Sequence, residues 1–359
     1  MHNSDSSAIG WLWRRIKPLL VLNDKKRPWG FLVIAALCIG LPVLVGAWLD
    51  VFSTAILASM GGLVILYMPQ ARIARRMMTL AVCSFGFAAS FALGALTSFN
   101  LYLSAGTLAF TVFLVTVVCR YFSVPPPGNF FFILVACMSR TMPFDLSLAA
   151  ERVGILLFGC MGACLLALMY SVWRLLLLKR EVPPRPAPEE RRVVALMLES
   201  TVIALFVSGG YLFALLIELD NPYWVPISTL AILQGATYRA VWQRNVHRIF
   251  GTAIGMGLAW TIFSLSPNTW TLAVLVIVLS FLIEVLVTRN YGLAVIFITP
   301  LTVIFADSAL AVADTNSLIL TRLIDIMLGS LIGYMGGWMI YHPRLFYRLE
   351  RWLEKRRAG

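Results

Sequence analysis

The sequence contains few charged residues for its length. Of 359 residues, 13% are Asp, Glu, Lys or Arg and 60% are hydrophobic, whereas about 25% are charged in ordinary soluble domains. This composition excludes a soluble enzyme, a disordered protein and a small secreted module held by disulfide bonds. Because a membrane-crossing helix needs roughly 20 apolar residues, it predicts an all-α polytopic membrane protein.

Residues that bind metals or attack substrates are also scarce. The three histidines are far apart in the sequence, and no two of the six cysteines have the two-residue spacing of a metal or redox site. Paired carboxylates beside a nucleophile and a phosphate-binding loop are not found either. These absences argue against an enzyme, a metal site and a bound cofactor.

Apolar runs fill most of the chain, in two sets of six. They cover residues 30–49, 51–68, 77–97, 101–121, 129–142 and 147–173, then 194–217, 222–237, 249–265, 269–287, 291–309 and 317–341. We therefore predict about twelve transmembrane helices.

The rest of the sequence divides these runs into regions. Residues 1–29 are predicted to be a cytosolic segment that includes an interfacial helix. A first six-helix membrane repeat spans 30–178, and a second spans 194–341. The segment between them, 179–193, holds four prolines among Arg and Glu and is predicted to be a cytosolic linker. Residues 342–359 form a basic cytosolic tail.

The placement of positive charge supports this division. If the N-terminus is cytosolic, the inner segments hold 26 of the 29 Lys and Arg residues, and Arg140, Arg152 and Arg322 are the exceptions. This asymmetry predicts a multi-pass protein of an inner (plasma) membrane with both termini in the cytoplasm. The basic excess then serves orientation and contact with membrane lipid, so nucleic-acid binding is not expected. Arg140 is placed at the outer rim.

Matching patterns predict that the two halves are repeats. Arg76 in the first half and Arg248 in the second are 172 positions apart, and Arg152 and Arg322 are 170 apart. Six helices per repeat give both copies the same orientation, related by a pseudo-twofold axis along the membrane normal. A binding pathway at such an interface is typical of transporters. The alternative is a duplicated helical scaffold.

Charged residues inside the apolar runs are candidates for function, because each costs several kcal/mol at the bilayer centre unless paired or hydrated. Arg322 and Asp325 lie one turn apart on one helix face. They either neutralise each other or form an anion site with a titratable neighbour that couples transport to protons. Arg152, the repeat partner of Arg322, is a second candidate for binding a carboxylate.

Four further charged residues lie nearer the cytosolic ends of the runs. Glu284 and Glu199 are either proton relays or side chains that extend to the interface. Arg244 and Arg248 either pair with lipid phosphate or draw anions toward the pathway.

Two segments interrupt helix regularity. Asn221 to Pro226 precedes the eighth run, and Thr299-Pro300 lies within the eleventh. Proline frees backbone carbonyls, which membranes tolerate only against protein or a watery cavity. Trp224 and the following polar residues, Gln234 among them, therefore indicate a binding region, although aromatic residues at this depth also serve as interface anchors.

These residues together resemble a known family. Tyr223-Trp224 through Gln234, Arg244-x-x-x-Arg248-x-x-Gly251, Asn290-Tyr291, Thr299-Pro300 and Arg322-x-x-Asp325 are similar to the fusaric acid resistance (FUSC) superfamily over residues 222–333. The resemblance implies proton-driven efflux of small organic acids, in particular aromatic carboxylic acids. It places the carboxylate at Arg322, aromatic contact at Tyr291 and proton exchange at Asp325.

Alternative functions and partners stay open at this stage. Plant malate channels are distant relatives, so a passive organic-anion channel is one alternative. A non-transporting membrane platform for a periplasmic adaptor is another. A periplasmic membrane-fusion adaptor and a homo-oligomeric assembly are the protein partners that the resemblance allows.

Overall fold

The structure is a computed structural model that describes residues 21–24, 26–178, 193–310 and 315–342. The predicted interfacial helix, most of the proline-rich linker and the basic tail beyond residue 342 lie outside these residues. Every regular element in the described residues is helical, which confirms the all-α fold class.

Twelve helices follow one another in the described part of the chain. They are α1 Trp29–Trp48, α2 Phe52–Gly62, α3 Ile73–Leu96, α4 Leu101–Tyr121, α5 Phe130–Met138, α6 Leu146–Leu178, α7 Val193–Leu216, α8 Trp224–Leu233, α9 Tyr238–Ser264, α10 Thr269–Leu286, α11 Tyr291–Leu310 and α12 Thr315–Tyr341. Short 3₁₀ segments, Leu63–Tyr67 and Ser139–Thr141, extend α2 and α5.

Seven of these helices are long and apolar enough to cross a membrane, so the chain is a membrane protein. They are Trp29–Trp48, Ile73–Leu96, Leu101–Tyr121, Leu146–Leu176, Val193–Leu216, Thr269–Leu286 and Thr321–Tyr341. The sequence predicts about twelve transmembrane helices, and seven of the helices qualify as spans by length and composition. Helices α2, α5, α8 and α11 have shorter apolar stretches, and α9 carries three arginines in its first turns.

The shorter helices lie in the interior of the bundle. All ten residues of α8 are buried, and α2 is buried from Ala55 to Gly62. The long helices instead present large apolar side chains outward, as Phe85 on α3 and Phe158 on α6 do at 75% and 74% exposure. A helix surrounded by protein does not have to match the thickness of the bilayer, which accounts for the short interior helices.

The same helix pairs pack together in each half. Helix α2 packs on α6 as α8 packs on α12, and α3 contacts α5 and α6 as α9 contacts α11 and α12. The halves meet through α1 with α10 and through α4 with α7, and in the centre through α2 with α11 and α5 with α8. Each of these contacts therefore has a counterpart six helices further along the chain.

Glycines allow the closest of these contacts. A Cβ atom at Gly255 of α9 would meet the Ile296 carbonyl of α11, and one at Gly329 of α12 would meet the Val225 carbonyl of α8. Small residues let helix backbones approach where lipid provides no hydrophobic drive. The backbones of α8, α9, α11 and α12 are thus drawn together around one region of the second half.

Contacts between helix termini define one end of the bundle, which we call the basic end. Arg120 at the end of α4 contacts Glu199 near the start of α7. The Tyr341 hydroxyl at the end of α12 donates to the Gly235 carbonyl just after α8, at 2.6 Å. Asn23, before α1, donates its backbone N–H to the Arg289 carbonyl after α10 at 2.9 Å.

Candidate anion-binding site

Arg322 on α12 is the largest fully buried side chain among the described residues, with 2% exposure. Its guanidinium carbon lies 3.8 Å from the centroid of the Trp224 ring on α8. Its Nη2 donates a hydrogen bond to the Thr302 hydroxyl on α11. A guanidinium over an indole face is a favourable cation–π arrangement, strengthened where water is excluded.

The other donors of Arg322 have no protein partner. Its Nε and Nη1 are buried and have no hydrogen-bond acceptor. The Oδ2 oxygen of Asp325, one turn further along α12, is also buried and has no hydrogen-bond donor. Among the described residues no ion pair within 4.0 Å joins these two side chains, although their opposite charges still act on each other. Buried charged groups without partners are costly, and such groups are typical of binding sites.

A second buried arginine faces the same region from α9. Arg248 is 5% exposed and its Nη2 donates to the Ser228 hydroxyl of α8 at 3.1 Å. Its Nε and the hydroxyl of Thr252, one turn on, are buried without partners. The like charges of Arg248 and Arg322 repel each other. Two guanidinium groups and one carboxyl group thus leave an excess of positive charge inside the second half.

The broken segment before α8 positions this cluster. Asn221 accepts a hydrogen bond from the Tyr223 hydroxyl at 3.0 Å and donates to the Thr321 hydroxyl at 3.4 Å. It therefore fixes the start of α8 to α12 beside Arg322. In α11, Pro300 has no N–H for the Ile296 carbonyl, and that carbonyl faces Gly255. Both predicted interruptions thus lie at the cluster.

Comparison with known proteins supports this assignment of the second half. Residues 207–336 match the family described as fusaric acid resistance protein-like. This segment is similar to that family. It contains Trp224, Arg248, Thr302, Arg322 and Asp325, so the whole cluster lies inside the matched residues, and the predicted resemblance is confirmed there.

Two curated proteins are similar to part of the chain. The uncharacterized membrane protein YvaC of Bacillus subtilis (strain 168) is 33% identical over 139 residues, which are 39% of this chain and 22% of that protein. The inner membrane protein YccS of Escherichia coli (strain K12) is 24% identical over 161 residues, 45% of this chain and 22% of that protein. The matches thus span about a fifth of each relative's length. No solved structure matches the chain significantly.

The sequence predicts that Tyr291 lies beside Arg322, but within the matched residues the Tyr291 ring lies elsewhere. Its ring lies 4.8 Å from the guanidinium carbon of Arg244, which also donates to the Ala231 carbonyl at 3.1 Å. Tyr291 begins α11, and eleven residues separate it from Thr302, about 16 Å along a helix. The aromatic partner of Arg322 is therefore Trp224, and Arg244 with Tyr291 forms a separate contact nearer the basic end.

Gln234 also lies away from the cluster, at the end of α8. Its amide donates to the Pro127 carbonyl at 2.9 Å and to the Asn129 side chain at 3.2 Å. It lines a cavity of about 600 Å³ at the basic end, which we call the vestibule. The walls of the vestibule come from the turn between α4 and α5, the first turns of α7 and the last turn of α8.

Both predicted proton-relay glutamates are in ion pairs at the basic end. Glu199 accepts from Arg120 at 2.6 Å, and Glu284 accepts from Arg27. Each ion pair joins one half of the chain to the other. Sequence reasoning missed both partners, because their positive charges matched the pattern of cytosolic orientation.

The first-half arginines have other roles. Arg152 donates to the Pro143 carbonyl at 2.8 Å, and in the described residues no contact joins it to Arg322. Arg140, predicted at the outer rim, is half-buried and donates to Ser104 and Thr107 in the first turns of α4 and to the Ala136 carbonyl. The structure therefore brings one of the two repeat-related arginines, Arg322, into a buried polar cluster.

Proposed function

We propose that this protein exports small organic acids, and that Arg322 and Trp224 hold the substrate. The observation that carries the proposal is the buried Arg322 guanidinium, stacked on an indole with two donors unpartnered. A carboxylate fits two parallel guanidinium N–H groups. The substrate carboxylate takes one of the unpartnered donors, Nε or Nη1, together with the second N–H of Nη2, and its apolar part lies against Trp224.

The charge of the cluster favours an anionic substrate. Asp220, which acts electrostatically on Asp325, is exposed to solvent, whereas Arg322, Arg248 and Asp325 are buried and together carry at least one excess positive charge. Such a charge is expensive within a membrane. A monocarboxylate neutralises it, whereas a neutral or cationic solute does not, so the site selects organic acids.

Proton coupling is proposed through Asp325. An ionised Asp325 competes with the substrate for the Arg322 guanidinium, one turn away. A protonated Asp325 leaves that guanidinium to the substrate. Binding of a proton and binding of the acid therefore favour each other, so the two leave together and the outward gradient of the acid drives export. Loss of the proton from Asp325 on the outer side then empties the site.

We also propose a membrane architecture of twelve helices in two repeats, with the basic end and both termini in the cytoplasm. The helix contacts that recur six helices apart support the repeats. The 26 Lys and Arg residues in the predicted inner segments support the orientation. The short interior helices cross only part of the bilayer and are enclosed by the longer ones.

The test uses purified protein in liposomes, with benzoate as the probe. Arg322→Gln is expected to lower benzoate flux at least about tenfold, because it removes charge-assisted hydrogen bonds worth about 1.5–3 kcal/mol. Arg152→Gln is the matched control and keeps flux within about twofold. Size-exclusion profiles show whether each variant folds. Unchanged flux in both Arg322→Gln and Asp325→Asn would overturn the proposal.

The same liposomes test the coupling. In the parent, the half-saturating benzoate concentration rises with pH as Asp325 loses its proton, and Asp325→Asn removes this dependence. Measurements of proton movement with benzoate flux complete the assay. A benzoate current that moves no protons identifies a passive channel, and no flux from the parent identifies a non-transporting membrane protein.

A further inference from the structure

The two ion pairs at the basic end are related in position but reversed in charge. Arg27 precedes α1 and pairs with Glu284 of α10, while Glu199 of α7 pairs with Arg120 of α4. Residues 27 and 199 are 172 positions apart, the same separation as Arg76 and Arg248, whereas residues 120 and 284 are 164 apart, so the two pairs match in helices but not in exact register. Each pair joins the halves where α1 meets α10 or α4 meets α7. The arginine of the ion pair can therefore lie on either of the two helices that form this contact.

The surroundings of the two pairs differ. Chain from before α1 covers the Arg27–Glu284 pair, because Asn23 donates to the Arg289 carbonyl and Asn290 donates to the Val21 carbonyl at 3.3 Å. Glu284 is 4% exposed. The Arg120–Glu199 pair instead forms part of the wall of the vestibule. Its side chains are 38% and 19% exposed.

The chemistry of the vestibule centres on Arg120. The amides on its wall are occupied with one another, since Gln234 donates to Asn129 and Asn129 donates to the Thr116 hydroxyl at 2.7 Å. Arg120 and Glu199 are the charged residues of its lining. Its apolar lining includes Leu196, Ile203, Leu230 and Leu233. The volume of about 600 Å³ lies within the usual range for small-molecule sites.

We propose that the vestibule is a second carboxylate site, in which organic acids load before they reach Arg322. The carboxylate of the acid replaces Glu199 on the Arg120 guanidinium, and its apolar part contacts the leucine and isoleucine side chains. Glu199 holds Arg120 in place while the site is empty. Arg27 and Glu284, the repeat-related pair, do not line the vestibule and form a fixed connection between the halves. This inference rests on the proposed export of organic acids.

Protection of a cysteine tests the loading site directly. Ala195 lines the vestibule from α7, so the Ala195→Cys variant is labelled with a maleimide in everted membrane vesicles, against the background of the parent. Benzoate is expected to slow the labelling, whereas neutral benzamide is not. Adding Arg120→Gln abolishes the protection. Adding Glu199→Gln lowers the protecting benzoate concentration about two- to fivefold, since it removes the competing carboxylate of a partly exposed ion pair.

The control removes the other ion pair. Arg27→Gln is expected to leave benzoate protection unchanged, because no loading site adjoins Glu284. Protection that survives Arg120→Gln, or an absence of protection in the parent, overturns the loading site. Benzoate export by the same vesicles distinguishes the causes. If export persists without protection, the proposed function stands and the loading site falls, and if export is absent both fall.

Discussion

Arg140 and Arg322 are two arginines within the helical bundle that use their donors in opposite ways. Arg140 in the first half donates from Nε, Nη1 and Nη2, to Ser104, Thr107 and the Ala136 carbonyl. Arg322 in the second half donates from Nη2 and leaves Nε and Nη1 without partners. An arginine that serves structure has its donors occupied by protein, whereas one that serves binding keeps donors for a ligand. The comparison separates these two arginines and not the two halves as wholes, because Arg76 in the first half also has a buried Nε without a partner.

The largest expected effect is on the free energy of unfolding, and it tests the difference between Arg140 and Arg322. Arg140→Gln should lower the free energy of unfolding by about 2–4 kcal/mol, because it removes several hydrogen bonds to a charged group. Arg322→Gln should lower it by less than about 1 kcal/mol or raise it, since it removes a buried charge that lacks partners. Thermal unfolding in one detergent measures both. Equal destabilisation by the two variants would contradict the distinction.

The next effect tests whether the halves are alike in packing although they differ in charge. A Cβ atom at Gly159 would overlap the Ala58 carbonyl, and one at the related Gly329 would overlap the Val225 carbonyl. Alanine at either position should therefore destabilise the protein by about 1–3 kcal/mol. Gly154→Ala on α6 is the control, because a Cβ there meets nothing within 4 Å. A gain of stability in Gly159→Ala or Gly329→Ala would show that the contact is not tight.

The smallest effect concerns the aromatic face. Trp224→Leu should raise the half-saturating benzoate concentration by about two- to thirtyfold, which corresponds to a cation–π contribution of about 0.5–2 kcal/mol. Trp224→Phe should retain most of the affinity. Tyr291→Leu is the matched control, since that ring lies against Arg244 instead of Arg322. A larger effect from Tyr291→Leu would restore the assignment made from the sequence.

The helices were readable from the sequence because apolar runs and charge placement depend on local composition. Even the run 129–142 corresponds to α5 and its 3₁₀ extension. Which helices fall short of a full span was less accessible, because burial inside the bundle permits a short helix such as α8. The tight packing of α9 and α12 occurs at glycines four residues apart, Gly251 and Gly255 on α9 and Gly329 and Gly333 on α12, a spacing typical of close helix contact.

The candidate site was readable in part. Arg322, Asp325 and Arg248 were evident as charges in apolar surroundings, and Pro300 was evident as a break in a helix. The choice of Trp224 over Tyr291 depends on how α8 and α11 rotate against α12, which helix periodicity does not determine. The ion pairs of Glu199 and Glu284 depend on the contacts of α4 with α7 and α1 with α10, which join residues far apart in the chain.

The complete burial of α8 has a consequence for how the protein is made. With ten residues, α8 is about 15 Å long, too short to be retained in a bilayer by its own hydrophobicity. The Thr229 hydroxyl of α8 donates to the Gly329 carbonyl of α12 at 3.0 Å, and Gly329 and Gly333 form its packing surface. Helix α12 is synthesised about a hundred residues later. Insertion of α8 is therefore completed only after α12 has been synthesised, so the site between them cannot assemble before that point.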